Sequence, residues 1–409
     1  MNEFLTNDTK VIILLCGFFG NDKSIKPLPQ SKYNLLARWL HSNKMRPEDL
    51  LEKENVLQAS IGTNIELEYL KTLLNRGVQL GFAVEEWQRH GVWIISRSDK
   101  NYPSYYKKHL KEQSPPLLYG IGDISLLNNG GICIVGSRKV DDKGILFTEE
   151  SAKICALNNI PVISGAAKGV DQISMITALN NGGISVGVLA ENLLKTSLDR
   201  NYRNAISDKR LVLISHRHPN AHFTVAAAMA RNKLIYGLSD FGLVVSSEFK
   251  KGGTWAGAEE ELKRDNSIPV FVRTGESIPL GNNKLLELGA IPWTNEIDVN
   301  NLKSQLIFLS ENRKRKEKDV NLFNIIEQNN IKNEPLDSKR EVYEVVLPII
   351  LKYIESIKNK FKFSYLAIGI SYLDVNKRKE NLLGLFEYLH RKTIDEKSIE
   401  KKKNIIKIL

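Results

Sequence analysis

Short, uninterrupted apolar runs alternate along this chain with longer stretches of helical periodicity. The runs Ile132–Val135, Pro161–Ile163, Ser185–Leu189, Leu211–Ser215, Gly242–Ser246 and Ile268–Val272 are too short for core helices and show no polar alternation. That pattern predicts parallel strands buried on both faces. Helical segments between them predict crossovers, and so a doubly wound α/β sheet over residues 91–300. Trp93-Ile94-Ile95 and Pro115–Gly120 lead into it. Residues 1–90 predict a small helical domain, with Leu35, Leu36, Trp39 and Leu40 in one periodic segment and Leu67, Leu70, Leu73 and Leu74 in another. A charged linker is expected over 301–320. A mainly helical C-terminal domain is expected over 321–409, where a helical bundle and a winged-helix-like module fit almost equally well.

The chemistry gathers where strands turn into helices. Gly136-Ser137-Arg138 follows one strand, and Ser164-Gly165-Ala166-Ala167-Lys168-Gly169 follows the next. Loops after parallel strands share the carboxyl edge of the sheet, where such folds bind ligands. Small residues let backbone N–H groups approach an anion, and each loop adds a cation. Lys251-Gly252-Gly253-Thr254 repeats the arrangement later, while Arg231-Asn232-Lys233 joins the edge only if its helix leans over it. These loops predict a phosphate-bearing ligand. Neither a P-loop nor a dinucleotide fingerprint fits their spacing. His216, His218 and His222 lack the Cys or Glu partners of a zinc site, so no metal, cofactor or catalytic group is expected.

Composition changes this picture in two ways. A formal charge of +11 over 409 residues favours a polyanionic partner, although much of the excess lies beyond residue 310. The cysteines, Cys16, Cys133 and Cys155, are scattered in apolar contexts, so a reducing cytoplasm is expected. Val11–Phe19 is apolar but far too short to span a bilayer, and no membrane association is expected.

Four ordered segments carry a resemblance. They are Ile134-Val135-Gly136-Ser137-Arg138, Ser164–Asp171, Arg231–Asp240 and Gly281-Asn282-Asn283-Lys284-Leu285-Leu286. Together with Asp99–Pro103 and Pro115–Gly120, they make residues 93–293 similar to the DprA/Smf family of bacterial DNA-processing proteins. The resemblance implies an extended Rossmann-like domain that binds single-stranded DNA, homodimerises and loads a RecA-type recombinase in transformation or recombination. It also implies that Arg138, Lys168, Arg231 and Lys233 contact phosphates. Two departures stand out. Gln172-Ile173-Ser174-Met175 lacks the histidine usual after Gly169-Val170-Asp171, and Gly252–Glu259 replaces a Ser-Gly-Ser/Thr pattern.

Two other readings stay open. Gly252-Gly253-Thr254 is similar to part of the Gly-Gly-x-Gly-Thr-x-x-Glu pattern of LOG-type phosphoribohydrolases, which suggests a nucleotide sensor or hydrolase. The glutamates begin only at Glu259, however, and so face elsewhere on the helix. Defence against foreign DNA would use the same strand-binding surface. Strand binding also calls for aromatics on which bases stack, and Trp255 and Tyr236 are the expected ones.

Overall fold

The computed structural model describes residues 5–19, 25–275, 277–293 and 301–313. Nine strands form one sheet: β1 (Trp93–Ser96), β2 (Leu117–Gly122), β3 (Ile132–Gly136), β4 (Val162–Ser164), β5 (Ser185–Val188), β6 (Leu211–Ser215), β7 (Phe241–Ser246), β8 (Val270–Arg273) and β9 (Ile291–Trp293). Their order is β1-β2-β6-β5-β4-β3-β7-β8-β9. From β6 to β9 every neighbouring pair is parallel, while β2 joins β6 and β1 joins β2 antiparallel. The chain winds outward from β3 to β6, returns to place β7 beside β3, and winds outward again. The switch point therefore lies between β3 and β7, with the loops after β3 and β4 beside it.

Burial explains why these runs are strands. Ile132 to Val135 and all of β5, β6 and β7 are buried, as expected of a parallel sheet covered by helices on both faces. The helix Asp142–Leu157 starts where the Asp141 carboxylate accepts the Gly144 N–H at 3.1 Å. Thr224 caps the helix Val225–Gly237 in the same way, at 3.1 Å from the Ala227 nitrogen.

The first helices are Asn7–Cys16, Gln30–Ser42, Lys53–Thr63, Leu67–Leu74 and Gly77–Arg89. Their core is continuous with that of the sheet, across the boundary expected at residue 90. Val11 to Leu15, Leu36, Leu70 and Trp87 belong to the same cluster as Tyr119 and Ile121 of β2. The Trp87 ring meets Tyr119 edge-on at 5.3 Å. Arg76 is buried among these helices, donating to the Leu14 carbonyl and lying 4.2 Å over the Phe19 ring. Its charge thus sits at the carboxyl end of the first helix, where the helix dipole favours a cation.

Residues 302–313, expected to begin a charged linker, are helical instead. Leu302 and Leu306 are fully buried, the Leu302 N–H reaches Asn158 Oδ1 at 3.3 Å, and Lys303 pairs with Asp240 at 3.5 Å. The charged run behind that expectation, Asn312–Lys318, lies almost wholly beyond this helix. The rest of the expected linker and the expected C-terminal domain, 314–409, lie outside the described residues. Among the described residues no helix is long and apolar enough to cross a membrane.

Candidate functional site

The loops after β3 and β4 interlock, and this close approach accounts for their glycines. A Cβ on Gly136 would stand 2.5 Å from Val170 Cγ2. Gly169 has a φ of 89°, and a Cβ there would stand 2.4 Å from the Ser137 carbonyl oxygen. That same carbonyl accepts the Val170 N–H at 3.3 Å. Ser137 Oγ accepts the Lys139 N–H at 3.1 Å and shapes the turn that holds Arg138 outward. The Ser164 side chain is buried and donates to the Ile134 carbonyl at 2.6 Å, so it does not face the edge as a phosphate ligand would.

At the centre of the switch point lies an anion of the chain's own. The buried Asp171 carboxylate lies against the backbone of Gly136 and Gly165, whose amides favour its charged form. These are the amides that sequence reasoning offered to a phosphate. Arg231 completes the arrangement: it is 5% exposed, its Nη1 stands 3.5 Å from Asp171 Oδ2, and it donates to the Val188 carbonyl at 3.3 Å. Gly165 leaves the space for it, since a Cβ there would come within 1.1 Å of Arg231 Nη1. Burial pushes the Asp171 carboxyl above its ordinary range, and burial pushes the Arg231 guanidinium down, each partly offset by the other's charge. Arg231 is therefore corrected from a surface phosphate contact to the inner half of a buried ion pair.

Exposed cations lie on the loops that hold Asp171. Arg138 and Lys168 are exposed on the loops after β3 and β4, and Arg217 follows β6. Arg138 lies 5.0 Å over the ring of Phe223, which is itself 39% exposed. Lys233 is half-buried. It acts electrostatically on His216, together with Arg217 and Arg231. Arg138 in turn acts on Arg231. The strand order places Lys250 and Lys251 after β7, next to the Arg138 loop. Lys251 is 79% exposed and pairs with Glu248 at 3.2 Å.

Asn232 points the other way. Its amide donates to the Gly253 carbonyl at 2.8 Å, tying its helix to the helix Gly252–Leu262, so Asn232 and Gly253 form a packing contact. Thr254 is half-buried in the first turn of that second helix.

The aromatics expected to stack on bases are in the core. Trp255 and Tyr236 are 4% and 2% exposed. Phe223 and Phe249 are the exposed rings of this edge, and Lys250 lies 5.2 Å over Phe249. An aromatic within the polar stretch His222-Phe223-Thr224, just ahead of a helix, was the available signal. Glu259 accepts from Trp255 Nε1 at 2.8 Å and pairs with Lys263 at 2.7 Å. The Lys263 hydrogen bond holds its carboxyl below the usual range, which suits an ion pair and not a general acid. Among the described residues no His, Cys, Asp and Glu cluster could hold a metal. His218 lies edge-on to Trp87 at 5.7 Å, and its Nδ1 accepts the Asn220 N–H at 3.1 Å.

The comparisons with known proteins agree with this architecture. The DNA recombination-mediator protein A family matches residues 93–303. DNA processing protein DprA of Streptococcus pneumoniae is 28% identical over 217 residues, 50% of this chain and 76% of its own length. The X-ray structure of the Streptococcus pneumoniae protein superposes with a TM-score of 0.56 at 19% identity, covering 71% of this chain and 95% of the other. DNA processing protein A of Helicobacter pylori, whose structure is described by its single-stranded DNA binding mode, gives a TM-score of 0.42 at 23% identity over 54% of this chain and 96% of its own. With its extended Rossmann-like sheet and the ordered loops at the switch point, the chain belongs to the DNA recombination-mediator protein A family, the DprA/Smf proteins.

Proposed function

We propose that this chain binds single-stranded DNA along the carboxyl edge of its sheet, without catalysis, as a DNA-processing protein of recombination. The observation that carries this reading is the exposed Phe223 ring beneath Arg138. A guanidinium for a phosphate beside an exposed aromatic ring for a base suits an unpaired strand, whose base faces are open for stacking. In duplex DNA those faces are already stacked, and the same ring finds nothing to meet. Lys168, Arg217 and Lys233 extend the positive charge along the edge. Recognition of phosphates and base faces is largely indifferent to sequence.

Homodimerisation and transfer of the strand to a RecA-type recombinase rest on family membership, as does a cytoplasmic location. Glycosidic hydrolysis is the weaker reading, because Glu259 is engaged by Trp255 and Lys263. The test is competition between an unlabelled oligo(dT), a duplex of equal length and a mononucleotide for one fluorescent single strand. The single strand is expected to compete best. Equal or better competition by the duplex would overturn the reading.

A further inference from the structure

A second exposed ring stands on the same edge, and the strand-binding reading above does not use it. Phe249 is 37% exposed and lies in the turn Glu248-Phe249-Lys250-Lys251, which follows the carboxyl end of β7. The turn is closed by the Lys251 N–H on the Glu248 carbonyl at 3.2 Å and by the Lys251–Glu248 ion pair at 3.2 Å. Phe249 and Lys250 are therefore its tip residues. Lys250 has a φ of 54°, a conformation that glycine takes without strain, yet the chain places a cation there. Its Nζ lies 5.2 Å from the Phe249 ring centroid. The buried Trp255 ring packs against Phe249 at 5.0 Å and 88°, and Trp255 is itself held by its hydrogen bond to Glu259 at 2.8 Å. Phe249 is thus exposed but backed by the core.

This turn adjoins the site already described. β7 pairs with β3 so that Ser246 lies opposite Gly136, and the chain leaves the sheet at that level toward Phe249 on one strand and Arg138 on the other. Phe223 leads into the helix Val225–Gly237 and Phe249 into the helix Gly252–Leu262, and Asn232 ties those helices together at the Gly253 carbonyl. That tie falls about two turns, roughly 10 Å, along the first helix from its start, so the two rings occupy separate places on this edge.

We propose that Phe249 and Lys250 form a second base-and-phosphate station for the same single strand, which runs from Phe223 and Arg138 across the loop after β3 to the turn after β7. The inference rests on the strand-binding reading above and adds where the strand continues. A cation over an exposed ring contributes about two- to fivefold, whereas one base stacked on an aromatic contributes about five- to 150-fold. A base therefore displaces Lys250 from the ring, and the freed ammonium on its exposed tip meets the adjoining phosphate. Two stations also give the site a length, because a strand makes the second stack only when it is long enough to reach it.

The test measures binding of the full chain to oligo(dT) of increasing length, with a duplex for comparison. Phe249→Ala is expected to weaken long oligo(dT) by about five- to 150-fold. The losses of Phe249→Ala and Phe223→Ala multiply in the double variant, because each removes a different stack. Affinity in Phe249→Ala stops rising with length earlier than in wild type. Lys250→Gly, which suits the φ of 54°, lowers the log–log salt slope by about 0.7, while Phe249→Ala leaves the slope unchanged. Binding of long oligo(dT) by Phe249→Ala within about twofold of wild type overturns the proposal, and if Phe223→Ala weakens binding in the same series the strand-binding reading stands without it. An equal loss of duplex affinity also overturns it, since the ring then acts through the shape of the loop. Should Phe249→Ala fold poorly, Phe249→Trp decides: saturating oligo(dT) quenches the added indole where bases stack on it, and emission that the strand leaves unchanged refutes the station. Failure of wild type to bind oligo(dT) at all refutes strand binding itself, and the station with it.

Discussion

Gly165→Ala reports on the buried ion pair at the switch point. The added methyl would lie 1.1 Å from Arg231 Nη1 and 2.5 Å from Asp171 Oδ2. Arg231 must withdraw, leaving Asp171 and the Val188 carbonyl without it. Removing one partner of a buried pair costs about 3–5 kcal/mol. Here the lower end, about 3 kcal/mol, is expected, because the Asp171 carboxyl is already pushed up by burial and takes a proton once the guanidinium leaves. The assay is urea unfolding of wild type, Gly165→Ala, Arg231→Met and the double variant. In the Arg231→Met background the clash at Nη1 is gone, so Gly165→Ala should add less than about 1 kcal/mol, a clear failure of additivity. The penalty of Arg231→Met should shrink as pH falls. Asp171 has a raised folded pKa, so its neutral form is stable below that pKa and stability declines as pH rises through it, more steeply without the arginine. Additive losses, or a Gly165→Ala cost under about 0.5 kcal/mol, would refute the pair as the reason for this glycine.

Three further outcomes are expected. Phe223→Ala should weaken oligo(dT) binding by about 1–3 kcal/mol in fluorescence titrations, the usual worth of one base–aromatic stack, with little change in melting temperature because the ring is 39% exposed. His216, held down near 4, contributes stability that is fully present above about pH 6.5 and lost as pH falls toward 4. The loss is at most about 3 kcal/mol, less for its partial exposure, and His216→Gln should flatten that part of a stability–pH curve. Incubation with nucleoside monophosphates should release no free base from wild type or from Glu259→Gln. Turnover in wild type that Glu259→Gln abolishes would restore the hydrolase reading.

The sheet was largely legible in the sequence because parallel strands buried on both faces leave uninterrupted apolar runs, as in Ile132–Val135 and Leu211–Ser215. β9 left no such trace: it has three residues, and the central one is Pro292. Residues 302–313 read as part of the linker because the basic run from Asn312 to Lys318 begins at their end, although Leu302 and Leu306 are buried. At the site, the exposed Arg138 and Lys168 sit where loops after adjacent strands must place them. Arg231 reads as one more cation in Arg231-Asn232-Lys233, but its partner Asp171 lies sixty residues earlier and only the fold joins them. Trp255 and Tyr236 lie near the loops in sequence, yet their helix faces turn inward against the sheet. Phe223 carries no such mark, because no periodicity singles out a ring in a loop.

The central claim is that exposed cations after β3 and β4 hold the phosphates of a single strand. It is tested most directly by the salt dependence of oligo(dT) affinity in wild type and in Arg138→Ala/Lys168→Ala. Each phosphate contact on a single strand contributes about 0.7 to the log–log slope, so removing two should lower the slope by about 1.4 while leaving the melting temperature within a degree or two. An unchanged slope in a folded double variant would place the strand elsewhere on the molecule and contradict the account.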